Sequence, residues 1–203
     1  MAHRERGVVA ASLLSAPESF VAVIDAQPGF YRERPDVDPD IFSTFIDSVV
    51  WVTHLARALQ VPTILTAERP DRNGPPADAV IAAAGTQTVY EKHTFDLAAQ
   101  ADIHAAVAAL GRQTAVLVGM ETDVCVAHSA IGLAAHGHRV AVVVDATFSP
   151  GPAHQHGLRR LDQFGVELLS AKQLFYEWLP TLQAVRTTKS AAPHLRQPPG
   201  FHL

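Results

Sequence analysis

The sequence predicts an α/β protein whose parallel sheet is covered by helices on both faces. Three observations carry this. Short β-branched apolar runs alternate with stretches at helical spacing, the runs read as strands buried on both faces, and Pro/Gly/Asp-rich segments separate them. In chain order, residues 19–25 (SFVAVID) are a buried strand. Residues 39–60 follow as a helix capped by Asp38, with Ile41, Phe45, Val49, Val52, Ala56 and Leu59 recurring on one face. Residues 62–67 (PTILTA) are a second strand, and 68–76, rich in proline, aspartate, asparagine and glycine, are a loop. Residues 77–84 read as a short helix, 88–91 as a third strand and 98–110 as a helix. Residues 115–118 are a fourth strand ending at Gly119. Thr122 or Asp123 then caps a helix running from Val124 to a stop at Gly137. Residues 139–144, 152–164, 166–169 and 171–179 complete the alternation as strand, helix, strand and helix, the pattern of right-handed βαβ units.

Composition narrows the function classes. At 203 residues, 48% hydrophobic and 18% charged, the chain builds one sizeable core. The net charge of −4 and the lack of a dense Lys/Arg stripe speak against nucleic acid, and no apolar run approaches bilayer length. Residues 1–18 loosely imitate a secretory signal, with Arg4 and Arg6 before a short apolar stretch. Glu5, Ser12 and Ser15 break that pattern, so the segment reads as a flexible leader to a domain spanning 19–180. Residues 181–203 hold Pro193, Pro198, Pro199, three basic residues and no acid; they read as a loosely held tail or an arm for a neighbouring subunit. The single cysteine suits a reducing compartment, which makes the cytoplasm the expected location.

The polar residues at strand ends point to chemistry. Reactive groups of an open α/β sheet gather beyond the carboxyl ends of its strands. Asp25 ends the first strand directly after VAVI, Lys92 follows the third in TVYEKHTFD, and Cys125 follows the fourth. Cys125 falls in the first turn of the predicted helix, where free N–H groups and the macrodipole favour the sulfur anion, its reactive form. Each residue has a plainer reading: a buried small hydrophobe for Cys125, a turn cap for Asp25, solvated surface for Lys92. Together they make a workable set for attack on a carbonyl. The acid accepts the thiol proton, the ammonium holds the charges, and helix N–H groups receive an oxyanion. The pairs His136/His138 and His154/His156 are assigned to structure or solvent, since residues two apart on a helix diverge.

The segments VAVIDAQPGF, YEKHTFD and GMETDVCVAHSAIGLAAHGHRVAVVVDA, in this order across residues 19–180, resemble the isochorismatase-like cysteine hydrolase superfamily. That superfamily includes isochorismatases, nicotinamidases, N-carbamoylsarcosine amidases and many domains of unknown substrate. The resemblance implies a three-layer α/β/α fold with a six-stranded parallel sheet of order 3-2-1-4-5-6, and Asp25, Lys92 and Cys125 as its triad. It also implies a cis peptide at Met120–Glu121 that aims the Glu121 N–H beside the Cys125 N–H as an oxyanion hole. Nicotinamidase-type members hold a metal with an Asp-x-His segment and further histidines after the second strand. Here that region reads TAERPDRNGPPADAV, with no histidine between His54 and His93. The expectation is therefore a metal-independent branch with no cofactor, and not nicotinamide as substrate.

The chemistry so implied is cleavage of an amide or carbamoyl C–N bond of a small molecule through a thioester. Gln27, Phe30, Glu68 and Phe95 are assigned to the pocket from their strand-end loops, though ordinary packing explains the two phenylalanines equally well. Three rivals stay open. One is vinyl ether hydrolysis by the acid and lysine without a cysteine nucleophile. The others are a thiol redox sensor or regulatory binding protein, and a silent oligomeric scaffold. A homo-oligomer, dimer or higher, is expected, and the substrate is left to loops such as 68–76.

Overall fold

The computed structural model describes residues 12–31, 34 and 37–203, so residues 1–11 of the expected leader lie outside the described residues. In chain order the elements are β1 (Ser19–Ile24), α1 (Pro39–Ala58), β2 (Thr63–Glu68), α2 (Pro70–Asn73), α3 (Asp78–Ala84) and β3 (Val89–Lys92). They continue as α4 (Ala101–Ala109), β4 (Thr114–Met120), α5 (Ala127–Ala135), β5 (Arg139–Phe148), α6 (Ala153–Phe164), β6 (Glu167–Leu169), α7 (Ala171–Trp178) and α8 (Leu182–Ala191). All six strands are parallel, in the order β3-β2-β1-β4-β5-β6. The order reverses between β1 and β4, which pair from Ser19↔Thr114 to Ile24↔Gly119. That junction is where a sheet of this kind opens a crevice at its carboxyl edge.

Strand periodicity separates the core into two layers. On one face Val21 and Val23 of β1, Val116 and Val118 of β4, and Ala141 and Val143 of β5 pack with Val49, Val52 and Trp178 from α1 and α7. On the other face Phe20, Ala22 and Ile24, Ala115 and Leu117, and Val140 and Val142 pack with Ile103, Leu133 and Leu161 from α4, α5 and α6. Successive side chains of a strand point to opposite faces, so strands buried on both sides read as unbroken apolar runs.

Several elements differ from expectation for local reasons. β5 runs on to Phe148 across a bulge, because its register against β4 shifts between Leu117 and Gly119; the exposed Asp145 in that stretch is where the apolar pattern breaks. Ile41, expected on the buried face of α1, is exposed, while Trp51 and Leu55 are buried. The Asp38 carboxylate accepts from the Asp40 and Ile41 N–H groups, capping α1 as anticipated. Residues 181–203 contribute α8 and a short 3₁₀ turn (Pro193–Arg196) whose Leu195 is buried. Trp51 Nε1 donates to Leu195 O at 3.3 Å, and the Phe201 ring meets Trp51 edge-on at 5.2 Å, so this segment lies against the chain's own α1. Among the described residues no helix is long and apolar enough to cross a membrane.

One close approach sets the geometry of the sheet's working edge. Gly119 has φ 115°, and a Cβ there would fall 1.9 Å from Ile24 O, the carbonyl preceding Asp25. Glycine alone lets β4 and β1 meet so closely. Gly119→Ala is expected to lower unfolding stability by at least about 2 kcal/mol, read from chemical denaturation midpoints, because it adds both a backbone overlap and a disfavoured φ. A wild-type midpoint in that variant would contradict the packing described.

Candidate active site

Three buried polar side chains meet at the carboxyl edge. Lys92 Nζ lies 2.9 Å from Asp25 Oδ2, with the two side chains 0% and 1% exposed. The same ammonium donates to Cys125 Sγ at 3.4 Å and to Thr94 O at 2.7 Å, so its three N–H donors are all engaged. β3 stands two strand spacings from β1, roughly 10 Å away, and the long lysine chain spans that gap over the end of β2. Asp25 is held from beneath: Thr66 Oγ1 in β2 donates to Oδ1 at 2.8 Å and accepts the Asp25 N–H at 3.3 Å. Asp25 itself has φ 48°, a left-handed conformation that a non-glycine residue keeps only when its surroundings impose it. A carboxylate oxygen of Asp25 lies within 4.8 Å of Cys125 Sγ.

Cys125 rides on a π-helical turn (Thr122–Val126), not in the first turn of a side-chain-capped α-helix; no side chain caps it. Thr122 and Asp123, expected as caps, are drawn elsewhere. Thr122 Oγ1 lies 2.9 Å from His154 Nδ1, and Ser149 Oγ donates to Asp123 Oδ1 at 2.6 Å. Burial pulls His154 below the ordinary histidine range, so the ring is neutral in this network. α6 presses on the turn at Gly157, where a Cβ would sit 2.7 Å from Asp123 Cα. π-turns of this kind occur often at functional sites. The Met120–Glu121 peptide is cis.

The electrostatics correct one expectation. Helix N–H groups were expected to favour the sulfur anion. Burial first, and then the Asp25 charge, instead push the Cys125 thiol from 9.0 up to about 12, against the pull of Lys92. The resting sulfur is a thiol. Burial works against the Lys92 charge, yet the Asp25 carboxylate, with the accepting Cys125 sulfur, outweighs that and holds the ammonium above the ordinary lysine range.

The cavity beside the sulfur is small, ≈ 70 Å³, and is lined by Phe30, Glu68, Phe95, Met120, Glu121, Val124 and Cys125. Ordinary ligand sites run to roughly 300–1,000 Å³, so only the reacting head of a substrate fits within. Of the residues expected at a pocket, Phe30, Glu68 and Phe95 line this cavity. Gln27 does not line it. Its buried side chain ties loops together, accepting from Glu68 N at 2.8 Å and donating to Glu68 O at 3.1 Å and to Gly74 O. Sequence reasoning missed the Glu121 side chain, which accepts from Tyr31 Oη, and Thr66, whose only signal was a hydroxyl inside an apolar strand. Asp25, Glu68 and Cys125 each bring one ligating atom within 4.8 Å of the others, the one such trio among the described residues. The Lys92 ammonium stands against two of its three members, where it does the charge-balancing a metal ion would do.

The family model described as Isochorismatase domain matches residues 19–173. The chain is 28% identical over 181 residues to the "Probable hydrolase YcaC" of Escherichia coli K12, covering 86% of each. It is 31% identical over 139 residues to "Isochorismatase domain-containing protein 2" of Bos taurus, covering 67% of this chain and 66% of that one. The 1.8 Å crystal structure of E. coli YcaC, described as an octameric hydrolase of unknown specificity, aligns with a TM-score of 0.77. It is 25% identical, over 92% of this chain and 94% of that one.

Two outcomes follow from the buried thiol. Its raised value means that the folded state favours the protonated form. That stabilising contribution is full below the ordinary thiol value of 9.0 and is lost as pH climbs toward about 12. Thiolate absorbance should therefore stay absent at neutral pH in the native protein. Asp25→Asn, which removes the raising charge, should bring the thiolate in at lower pH, and Lys92→Met should delay it. Native thiolate at neutral pH would overturn this account. Lys92→Met should also cost about 3–5 kcal/mol in denaturation, because it strands a buried carboxylate.

Proposed function

The chain belongs to the isochorismatase family, and from that membership we propose a hydrolase that cleaves a C–N bond of a small amide or carbamoyl compound through Cys125. The observation that carries the reading is the Lys92 ammonium shared between Asp25 and the Cys125 sulfur, all three buried at the sheet's switch point. Asp25 takes the thiol proton as Sγ attacks the carbonyl carbon. The N–H groups of Glu121 and Cys125 hold the developing oxyanion, and Lys92 keeps the carboxylate oriented and the anionic sulfur balanced. Asp25 then gives its proton to the leaving nitrogen, the C–N bond breaks and a thioester remains. Water loses a proton to Asp25 and adds to the thioester. The C–S bond breaks, the acid leaves, and the proton returns to sulfur.

The protonation state supports this sequence. A thiol titrating near 12 is a poor standing nucleophile and needs a base in contact, which the Asp25 carboxylate supplies. The same facts weigh against a redox sensor, whose cysteine is exposed and anionic; Cys125 is 4% exposed. We also infer a homo-oligomer, as in the YcaC structure, with exposed Ile41, Phe164 and Leu182 as apolar surface available for contacts. Light scattering should give a mass above that of one chain.

The test is a hydrolysis screen over small amides, ureido compounds and isochorismate. Cys125→Ser and Asp25→Asn should each lose on the order of 10³-fold or more in kcat/KM. Intact mass spectrometry of a slow substrate should show an acyl adduct on wild type only. Near-normal turnover by Cys125→Ala would shift the reading to vinyl ether cleavage by Asp25 and Lys92.

A further inference from the structure

The proposed reaction leaves one part of the cavity unused. Two carboxylate side chains, Glu68 and Glu121, line it together with Phe30, Phe95, Met120 and Val124, and among the described residues no basic one shares that lining. Glu121 is engaged by the Tyr31 hydroxyl. Glu68 ends β2 with its backbone locked: its N–H donates to Gln27 Oε1 at 2.8 Å, and its carbonyl accepts from Gln27 Nε2 at 3.1 Å and Asn73 Nδ2 at 3.0 Å. The half-buried carboxyl group is thereby held toward the reacting centre, with an oxygen within 4.8 Å of both Cys125 Sγ and the Asp25 carboxylate. Among the described residues the nearby cations are occupied or stand outside the lining. Lys92 serves Asp25, the sulfur and Thr94 O, Arg69 pairs with Asp71 at 3.3 Å, and Arg34 and Arg72 line the adjacent cleft.

Building on the hydrolase reading above, we propose that Glu68 makes this a site for substrates carrying N–H donors or positive charge beside the reacting carbon, and that it excludes substrates with a carboxylate there. An amide, ureido or guanidino-type nitrogen finds a charged acceptor in Glu68, a hydrogen bond about twice as strong as a neutral one. The Phe30 and Phe95 rings tolerate the apolar or cationic remainder of such a molecule. An anion in the same cavity would face Glu68, Glu121 and Asp25 at short range with little water to screen them. Isochorismate, a dicarboxylate, falls in the excluded class.

Charge selection is measurable without turnover. Cys125 of the full chain is alkylated with neutral iodoacetamide and with anionic iodoacetate, and the rate ratio is divided by that of free cysteine. Wild type should disfavour the anion by on the order of tenfold beyond the free thiol, and Glu68→Gln should remove most of that excess. Added salt should erode it in wild type. Equal ratios for wild type and free cysteine would overturn the proposal with no variant needed, and so would a full excess retained by a folded Glu68→Gln. An acidic selection without hydrolysis of any substrate would sustain the role of Glu68 while ending the hydrolase reading. With a hydrolysed amide in hand, Glu68→Gln should raise kcat/KM for its carboxylate-bearing analogue relative to the neutral amide. An unchanged ratio would overturn the assignment.

Discussion

The buried ammonium of Lys92 is the group on which the whole site depends. A charged amine removed from water costs several kcal/mol unless its charge and its donors are all answered. Here they are answered by the Asp25 carboxylate, the Cys125 sulfur and a backbone carbonyl. The dependence runs both ways: without the lysine, Asp25 would be an unpaired charge at the end of an apolar strand. The pairing also requires the topology. β3 is an edge strand, and only the order β3-β2-β1-β4 brings its last residue across β2 to the switch point.

Around that charge cluster the backbone departs from regular geometry in several adjoining places. Asp25 takes a left-handed φ, Gly119 admits the Ile24 carbonyl at a distance no side chain tolerates, and the segment carrying Cys125 winds as a π-turn. These features share one consequence: three strand ends converge more tightly than ideal strands and helices would allow. The polar pairs Thr122–His154 and Asp123–Ser149, with α6 pressed in at Gly157, secure the turn through residues that do not line the cavity beside the sulfur. Local irregularity is held in place by the surrounding packing, as expected of a working site.

Burial decides the state of the sulfur. A cysteine at a helix start in water would be favoured as thiolate, but desolvation and a neighbouring carboxylate reverse that preference. In the proposed reaction the nucleophile is generated only when Asp25 acts as base on a bound substrate, while the resting thiol reacts slowly with electrophiles and oxidants. Glu68 and Glu121 extend the same negative field to the cavity, so the electrostatics that hold back the sulfur also bear on which molecules approach it.

The alternation of apolar runs such as SFVAVI and TAVLVGM with helical stretches determined the layered parallel sheet, because strands buried on both faces leave that mark and little else does. It also marked Asp25, Lys92 and Cys125, since ionisable groups at the ends of buried strands are costly and therefore conspicuous. Tertiary structure decided what depends on neighbours distant in sequence. The Tyr31–Glu121 contact spans 90 positions, the Thr66 hydroxyl beneath Asp25 spans 41, and Gln27 proved to be a loop tie where a pocket wall was expected. The docking of residues 181–203 through Leu195 and Phe201 was hidden by their proline-rich, polar composition. The thiol's protonation belongs here too, because it follows from how much water and charge surround an atom, and only the folded chain sets that environment.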